Sequence, residues 1–492
     1  MTAERAAPRP GPAATARRAL AVSMGRAAQG GIRWLGRGNA AAVPGAVALA
    51  IDPGALAGLA ARIPAGAVLV TGSHGQGTTC RMLAQVMRAA GKHPITNHEG
   101  SSQLAGVTTA LLAGPRRTAG QRSAGAPDIG LLEVDEGSGP IVFPQIARPG
   151  LVVVTNLFPD RLDRYPEPGY VRSRLEAALR TLPAETALVL NADDPQLTHL
   201  APELPNPRLY FGVADSAQGR PGAGPAADSP RCPRCDGELR YSCVLYAHLG
   251  HWSCPGCGLA RPAPQVGVSK IDLLGRGSSR LQLMTPDTEI VLDVPLPGLH
   301  NAYNALAAVA AATAGQLPAT AVPAIERVAA GSVRIERFAV PGRDVYLALA
   351  KNATGYTEVL RALAGPGRPR WLLLGLDECA GQQPDLAWIW DVDVAALRGL
   401  VPVAAVTGSR ASDLAVRLKY AGWLTGAAPT ELAIEADPVP ALQHLLARVP
   451  AGQPVWVVST SSTVSALRSW LGRLGYAGQP WADAEGAGGW PS

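Results

Sequence analysis

The chain has 492 residues, enough for about two to four domains, and its 47% of hydrophobic and 17% of charged residues indicate that most of it folds. The net charge of +6 is spread along the sequence, so it gives no argument for a nucleic-acid partner. No run of roughly 18 apolar residues occurs, and no apolar segment follows the N-terminal arginines. The sequence therefore predicts neither a transmembrane helix nor a secretory signal, and it favours a cytoplasmic protein.

The N-terminal region is predicted to be a basic arm over residues 1–55 that is partly disordered. Residues 1–14 are rich in Pro, Ala and Arg, and residues 15–62 carry Ala, Leu and Arg with glycine breaks that allow one or two short helices. Charge runs are usually solvated faces, and this interpretation is favoured over a patch that meets a membrane-bound or anionic substrate.

Apolar runs alternate with helical stretches from residue 66 onwards, which predicts a doubly wound α/β domain over residues 56–330. Its predicted strands are 67–70, 129–132, 151–154 and 187–190, followed by strand-like alternation at 279–295 and an Ala-rich helix at 301–314. A second α/β pattern predicts a C-terminal domain over 331–475, with a tail at 476–492. The predicted strands of that domain are 371–374, 403–406 and 455–458.

The first strand leads into a glycine-rich loop and a helix from about Thr79. The loop reads Gly72-Ser73-His74-Gly75-Gln76-Gly77-Thr78-Thr79. Such loops bind phosphate because glycines let backbone N–H groups turn toward an anion, and the helix adds its positive end. Gln76 stands where a P-loop has its lysine, and Gly77 stands where it has Ser or Thr. The alternative is a tight glycine turn before a helix, and the loop alone does not decide between the two.

A cysteine-rich insert is predicted over residues 230–260. It contains a CxxC…CxxC pattern made by Cys232, Cys235, Cys254 and Cys257. This spacing predicts a tetrahedral zinc site of ribbon type, and four thiolates leave no open position, so the site is structural rather than catalytic. Two disulfides are the alternative, disfavoured in a reducing compartment. Spare ligand candidates, favoured as surface or core residues, are Cys243, His248 and His251.

Several motifs resemble those of Mur ligases, in the same order along the chain. The loop is similar to the Gly-Thr-Asn-Gly-Lys-Thr-Thr loop of that family. Further similar segments are Asn97 with Glu99-Gly100, Glu133 to Gly137, Thr155-Asn156 with Asp160 and Asp163, Asn191 to Pro195, Gly298 to Asn304, and Val333 to Phe338. A zinc ribbon before the Gly298 segment is a feature of the MurT branch. The segments that resemble this branch near the C-terminus are Leu349 to Ala353, Thr407 to Ala411 and the segment around Asp385.

The resemblance implies an ATP-dependent carbon–nitrogen ligase with a Mur-ligase-type, P-loop-like central domain. Mur ligases activate a carboxylate as an acyl phosphate, which an amine then attacks, and this chemistry needs a phosphate cradle and a metal. Glu133 is the expected Mg²⁺ ligand, since Mg²⁺ takes oxygen ligands. ATP and Mg²⁺ are expected at Gly72, Gly75, Gln76, Thr78, Thr79, Glu133, His300, Asn304 and Arg334. His300 and Asn304 also suit the capping of a helix.

The MurT resemblance also implies a partner. In that branch the aspartate that matches Asp385 completes the catalytic triad of GatD, a glutamine amidotransferase that supplies ammonia. The chain has no glutaminase Cys/His signature of its own, so a heterodimer is expected. It would amidate the α-carboxyl of D-glutamate in lipid II, at the inner face of the membrane. The segment departs from the branch at Gln382-Gln383-Pro384, and the alternative for Asp385 is a surface residue of an acidic loop.

Two other functions compete with this one. A homologue that has lost the loop lysine would bind a nucleotide or precursor, or hold the glutaminase, without turning over ATP. Another Mur ligase or a folylpolyglutamate synthase is the third hypothesis, which the zinc ribbon and the C-terminal segments disfavour.

Overall fold

The structure, a computed structural model, describes residues 12–34, 42–97, 101–114, 127–158, 168–200, 203–221, 231–273, 278–296, 298–328, 335–350, 353–364, 371–378, 387–390, 392–425 and 428–480. Two predicted site residues, Arg334 and Asp385, lie outside these ranges. So do parts of several matching segments, namely Glu99-Gly100, Asp160, Asp163, Val333 and Lys351-Asn352, and the departing stretch Gln382 to Pro384.

Helices and strands alternate along most of the chain. The α-helices are α1 Pro12–Trp34, α2 Val43–Ile51, α3 Ala55–Ala60, α4 Gln76–Ala89, α5 Leu104–Leu112, α6 Gly139–Val142, α7 Pro168–Leu179, α8 Pro195–Leu200, α9 Leu299–Ala314, α10 Ala353–Leu363, α11 Ala411–Tyr420, α12 Pro438–Arg448 and α13 Ser461–Arg473. The strands are β1 Ala67–Thr71, β2 Pro94–Thr96, β3 Ile129–Glu133, β4 Pro149–Val154, β5 Ala187–Asn191, β6 Arg208–Val213, β7 Arg220–Pro221, β8 Arg240–Tyr246, β9 Leu249–Ser253, β10 Val266–Leu273, β11 Ser279–Met284, β12 Glu289–Val294, β13 Ile335–Val340, β14 Arg343–Leu349, β15 Trp371–Gly375, β16 Val403–Thr407, β17 Glu431–Ile434, β18 Val455–Ser459 and β19 Gln479–Pro480.

The first sheet has nine strands in the order β12-β11-β10-β6-β5-β4-β1-β3-β2. The strands from β10 to β2 run parallel, whereas β11 and β12 add an antiparallel edge. Helices cover both faces of β1, because Val68 and Val70 pack in the core that contains α4 and α9, while Ala67 and Leu69 pack in the core that contains α2, α3 and α5. Burial on both faces explains why the strand reads as a continuous apolar run. The predicted doubly wound α/β fold is confirmed.

The N-terminal helices pack on the second of these cores. Ala21 and Val22 of α1 are buried with Ala48 of α2 and Leu56 of α3. Arg18 donates to the buried Asp52 carboxylate at 3.1 Å, which ties α1 to the segment between α2 and α3. The arm proposed for residues 1–55 thus contains packed helices, while its boundary at residue 55 stays a prediction.

The cysteine-rich insert forms β8 and β9, which make a small antiparallel sheet with the preceding strand β7 between β6 and β10. Those two strands are parallel neighbours in the nine-stranded sheet, with Val266 paired to Phe211. The insert is therefore the connection that brings the chain back across the sheet.

The second sheet has seven strands in the order β17-β16-β15-β18-β14-β13-β19, of which the first five run parallel. Leu372 and Leu374 of β15 pack in a core with α10 and α11, and Leu373 packs on the other face with α12 and α13. The predicted C-terminal α/β domain is confirmed in its fold class. No helix in the described ranges is long and apolar enough to cross a membrane.

Gly45 allows α2 and α5 to pack closely. Its N–H donates to Thr109 Oγ1 at 2.8 Å, and a Cβ on Gly45 would overlap the Ala105 carbonyl oxygen. We expect Gly45→Ala to lower the free energy of unfolding by about 1–3 kcal/mol, since overpacking forces backbone shifts. Urea denaturation monitored by circular dichroism would measure it. Gly30→Ala in α1 is the control, because nothing lies within 4 Å of that site, and it should be neutral or stabilising.

Candidate functional site

The glycine-rich loop lies at the point where the connections of the first sheet diverge. The chain runs from β1 through β2 to β3 on one side of β1, and β4 lies on the other side. Ligands of open α/β sheets bind outside the carboxyl ends of strands at such a point. The loop follows β1, and its neighbours are Glu133 at the end of β3 and Thr155-Asn156 after β4.

Residues after β4 fix the backbone of the loop. The Asn156 side chain accepts from the His74 N–H at 2.8 Å and donates to the His74 carbonyl at 3.0 Å. The Thr155 hydroxyl donates to the same carbonyl at 2.8 Å. The Phe158 N–H donates to Ser73 Oγ at 3.0 Å. The loop is therefore preorganised, which lowers the entropic cost of binding an anion.

Glycine is required at position 75, which precedes α4. Gly75 has a φ of 84°, and a Cβ there would overlap Oδ1 of Asn304. The Asn304 amide thus lies directly against the loop. The first N–H groups of a helix have no partner within the helix, so the start of α4 presents donors to a phosphate beside this amide.

Gln76, the first residue of α4, turns back toward the loop. Its Nε2 donates to the Gly72 carbonyl, and the side chain is buried. A lysine at this position of a P-loop extends to the β- and γ-phosphates instead. Gln76 therefore stabilises the loop and brings no positive charge to the site.

Glu133 faces the start of α4. The Asn97 amide holds its backbone with two hydrogen bonds of 2.8 Å. A Cβ on Gly77 would lie 3.0 Å from Glu133 Oε2, so the carboxylate reaches the position that a P-loop gives to its metal-binding hydroxyl. Burial raises the pKa of the nearby Cys80 thiol well above its usual value, and the charge of Glu133 raises it further. The negative charge of the Glu133 carboxylate at this position suits a divalent cation.

The two threonines of the loop have different surroundings. Thr78 is partly exposed, and its hydroxyl accepts from Arg81 at 3.1 Å. Thr79 is fully buried, and its hydroxyl donates to the Asn304 carbonyl at 3.4 Å. Thr79 thus joins α4 to α9, and Thr78 is the threonine nearer to solvent. Arg81 was not among the residues predicted from the sequence.

Three polar side chains at the start of α9 form a chain of contacts. Asn304 Nδ2 donates to Asn301 Oδ1 at 3.2 Å, and Asn301 Nδ2 lies 3.0 Å from His300 Nε2. The N-cap of α9 is Gly298, which has no side chain for capping. None of these side chains caps the helix, and Asn304, whose Oδ1 lies against Gly75, meets the loop.

A buried carboxylate within the Asn191 to Pro195 segment, to which the sequence analysis gave no individual role, connects the site to the insert. Asp193 accepts from Arg261 Nε at 2.6 Å, from the Tyr303 hydroxyl at 2.7 Å and from the Val213 N–H at 2.8 Å. Burial raises the pKa of Asp193, and these three donors oppose that rise. The Asn-Ala-Asp-Asp-Pro turn indicates a carboxylate beside the ends of the strands, which would need hydrogen-bond donors if buried. The sequence does not show that two of those donors are Arg261 and Tyr303.

The four predicted metal-ligating cysteines come together in the insert. Their Sγ atoms all lie within 4.8 Å of one another, with separations of 3.5 Å for Cys232–Cys257 and Cys235–Cys254. A tetrahedral Zn–S distance of about 2.3 Å requires sulfurs about 3.8 Å apart, so the cluster fits a four-thiolate metal site. A disulfide would need sulfurs at about 2.05 Å. The backbone N–H of Cys257 lowers the pKa of Cys254, whereas burial raises the pKa of Cys232. No other His, Cys or carboxylate cluster of this kind occurs in the described ranges.

Comparisons with known proteins agree with this arrangement. Residues 70–222 match the Mur ligase middle domain family, and residues 349–463 match the MurT ligase C-terminal family. The chain is 30% identical over 406 residues to the lipid II isoglutaminyl synthase (glutamine-hydrolyzing) subunit MurT of Streptococcus pneumoniae, which covers 82% of this chain and 87% of that one. The Staphylococcus aureus (strain N315) protein of the same name is 28% identical, with the same coverage.

Solved structures share the fold at low identity. A pseudomurein peptide ligase type C from Methanothermus fervidus has a TM-score of 0.62 and 17% identity, covering 85% of this chain and 80% of that one. The ADP complex of MurF ligase from Thermotoga maritima has a TM-score of 0.57 and 11% identity, covering 87% and 84%. Together with the motif order, the sheet topology and the four-cysteine insert, these matches show that the chain belongs to the MurT family of Mur ligases.

Proposed function

We propose that this chain is the ligase subunit of a two-subunit enzyme that amidates the α-carboxyl of D-glutamate in lipid II to isoglutamine. ATP drives the reaction, and a glutaminase subunit of the GatD type supplies ammonia. The similar proteins of Streptococcus pneumoniae and Staphylococcus aureus are named as subunits of lipid II isoglutaminyl synthase, and this supports the proposal. The observation that carries the proposal is the loop at the end of β1, bordered by the Glu133 carboxylate on one side and the Asn304 amide on the other.

The proposed chemistry has two steps. A carboxylate oxygen of the substrate attacks the γ-phosphorus of ATP, ADP leaves, and an acyl phosphate forms. Ammonia then attacks the acyl carbon, the C–N bond forms, and phosphate leaves. The N–H groups at the start of α4 would bind the phosphates, and Glu133 would hold Mg²⁺, which when bound stabilises negative charge on the phosphoryl oxygens. His300, Asn304 and Arg334 are proposed to lie beside the nucleotide.

The proposed glutaminase contact involves Asp385, which would orient and charge-stabilise a histidine of the partner. The segment directly after it is anchored by the buried Ile389 and exposes Trp390, whose ring lies 6.1 Å from that of the exposed Tyr420. Arg417 lies over the Trp390 ring at 5.7 Å. Exposed aromatic and arginine side chains are enriched at protein interfaces, so this surface suits a partner subunit.

A second candidate function is a subunit that binds nucleotide or precursor, or holds the glutaminase, without turnover. One observation favours it. Gln76 is buried against the Gly72 carbonyl, so the cation that stabilises the transferring phosphoryl group in P-loop enzymes is absent from its usual position. The two candidates differ in ATP turnover, which can be measured directly.

The four-cysteine cluster is proposed to hold a structural zinc ion. Purified protein should contain about one zinc per chain, and Cys232→Ser should lower both the metal content and the melting temperature, because the metal contributes folding free energy. Elemental analysis and thermal unfolding would measure these. Cys243→Ser is the matched control, since this buried cysteine of the same insert lies outside the cluster, and its metal content should be unchanged. Freshly purified protein without metal would contradict the assignment.

The loop departures can be reversed by mutation. The native chain should bind ATP weakly and in a Mg²⁺-dependent way, with turnover far below that of lysine-containing Mur ligases. Gln76→Lys with Gly77→Thr should raise both affinity and turnover, the latter by about 100-fold or more, since one such charge contributes several kcal/mol to the barrier. Calorimetry and a phosphate-release assay would measure them. Gln85→Lys, which adds the same charge further along α4, is the control and should change neither.

Two outcomes would contradict this interpretation of the loop. Native turnover equal to that of lysine-containing relatives would mean that another cation has replaced the lysine, and Arg81, which contacts Thr78 of the loop, is one candidate. An inert double mutant would instead favour the non-catalytic subunit.

The partner role of Asp385 predicts a loss of glutamine hydrolysis. In the complex with a GatD-type glutaminase, Asp385→Asn should lower glutaminase activity by several orders of magnitude, since removal of a triad carboxylate costs about 10⁴-fold in the serine proteases. Complex formation should persist, and added ammonia should bypass the defect in amidation. Asp413→Asn, at an exposed position of α11, is the control. An unchanged glutaminase rate in Asp385→Asn would refute the assignment.

A further inference from the structure

The tip of the β8–β9 hairpin reaches the phosphate loop through one aromatic side chain. The ring of Phe158 lies 4.6 Å from that of His74 in the loop and 4.6 Å from that of His248 in the hairpin, measured between centroids. Tyr246, also of the hairpin, lies 5.6 Å from Phe158 in an edge-to-face arrangement. Ring pairs of this geometry are attractive and fix orientation. The hairpin tip therefore contacts the loop indirectly, through the ring of Phe158.

The same tip contacts the other side of the site. Tyr246 lies 6.4 Å from both His300 and Tyr303 of α9, between ring centroids. His248 Nε2 lies 3.4 Å from Asp194 Oδ1, and the other oxygen of that carboxylate accepts from the Leu157 N–H at 2.7 Å. Tyr246 and His248 are both buried. The tip is thus enclosed by the loop support, by α9 and by the Asp193-Asp194 turn.

The backbone at the tip is held in an unusual conformation. Ala247 connects Tyr246 to His248 with a φ of 50°, a region that residues other than glycine, asparagine and aspartate rarely adopt. Such a conformation persists only where its surroundings determine it, and it is frequent at functional sites. The packing of Tyr246 and His248 against the site fixes the conformation of Ala247 between them.

A short path leads from the tip to the thiolates. The Tyr241 hydroxyl donates to the His248 carbonyl at 2.9 Å, and Tyr241 pairs with Trp252 across the hairpin. Tyr241 and Trp252 form a small core with Leu239, Cys232 and Cys254, so two of its five buried members are metal ligands. Leu245, Tyr246 and Leu249 at the tip also pack in the larger core with α4 and α9, whereas the base of the hairpin depends on this small core. Small metal modules are commonly unfolded without their ion, so loss of the metal would loosen the base and, through Tyr241, the tip.

We propose that Tyr246 and His248 are positioning residues for the phosphate loop, and that metal binding at the four cysteines sets nucleotide affinity through them. This inference rests on the proposed nucleotide site. It assigns the insert a role beyond its own stability, because an ordered hairpin holds Phe158, and Phe158 holds His74 of the loop. Nucleotide affinity and zinc affinity are then coupled, and such coupling is reciprocal.

Full-length protein, zinc-loaded or depleted by a chelator under reducing conditions, is the material for the first test. Hydrogen–deuterium exchange of the backbone over residues 72–79 should be faster after depletion, without nucleotide present. The Kd for Mg²⁺ and a non-hydrolysable ATP analogue should rise by about 5-fold or more, the lower end of typical couplings between sites. The analogue should tighten zinc binding by the same factor in a chelator competition. Unchanged exchange of the loop after depletion would overturn the proposal.

Substitutions at the tip separate positioning from folding. Tyr246→Leu removes the ring from the larger core, so loop exchange should rise and nucleotide affinity should fall while zinc content stays near the native value. Tyr246→Phe keeps the ring, so loop exchange and nucleotide affinity should stay near the native values. Arg240→Ala, at an exposed position of the same hairpin, is the control and should change neither.

The outcomes distinguish this proposal from the proposed function. A native chain that binds no nucleotide, but whose loop exchange still responds to zinc and to Tyr246→Leu, would refute the nucleotide site and its coupling to zinc, and would leave only the positioning of the loop by the hairpin tip. Native nucleotide binding that is indifferent to zinc and to Tyr246→Leu would refute the coupling and leave the proposed function standing.

Discussion

The buried Asp193 carboxylate is the interaction on which the arrangement of the site depends. It receives hydrogen bonds from the end of β6, from Tyr303 of α9 and from Arg261 at the base of the insert. Burying a carboxylate without hydrogen-bond donors costs free energy, so the positions of these three donors relative to Asp193 are constrained. The adjacent Asp194 in turn holds the backbone after β4, where Asn156 and Phe158 fix the loop. The Asp193-Asp194 turn therefore orients the phosphate loop, α9 and the insert relative to one another.

The sequence predicts the parts of this structure that depend on local pattern. The buried strands read as apolar runs because both of their faces are covered, as Val68 and Leu69 illustrate. The phosphate loop and the cysteine pairs are also local, since glycine spacing and CxxC spacing reflect turn and ligand geometry. Helix α4 begins at Gln76, three residues earlier than predicted, because Gly75 rather than a polar side chain precedes its first turn.

The parts that the sequence does not predict depend on contacts between distant residues. The orientation of Gln76 toward Gly72 follows from the space inside the loop, and the burial of Thr79 follows from the approach of α9. The aromatic contacts of Phe158 join segments about 90 residues apart in the chain. His248 was named from the sequence only as a spare ligand candidate, and the structure instead places its ring against Phe158, away from the four-cysteine cluster.

The position of the cysteine-rich segment between β6 and β10 has a topological consequence. Two parallel neighbours need a crossover that returns the chain to the same end of the sheet, and in α/β folds a helix usually serves. Here the ribbon is that crossover, although along the sequence it reads as an insertion. The whole connection from Val213 to Val266 can be exchanged for another crossover but not deleted, because joining these two residues directly would force β10 to leave its place or reverse its direction. In evolution and in engineering alike, the segment is a replaceable connection rather than a removable appendage.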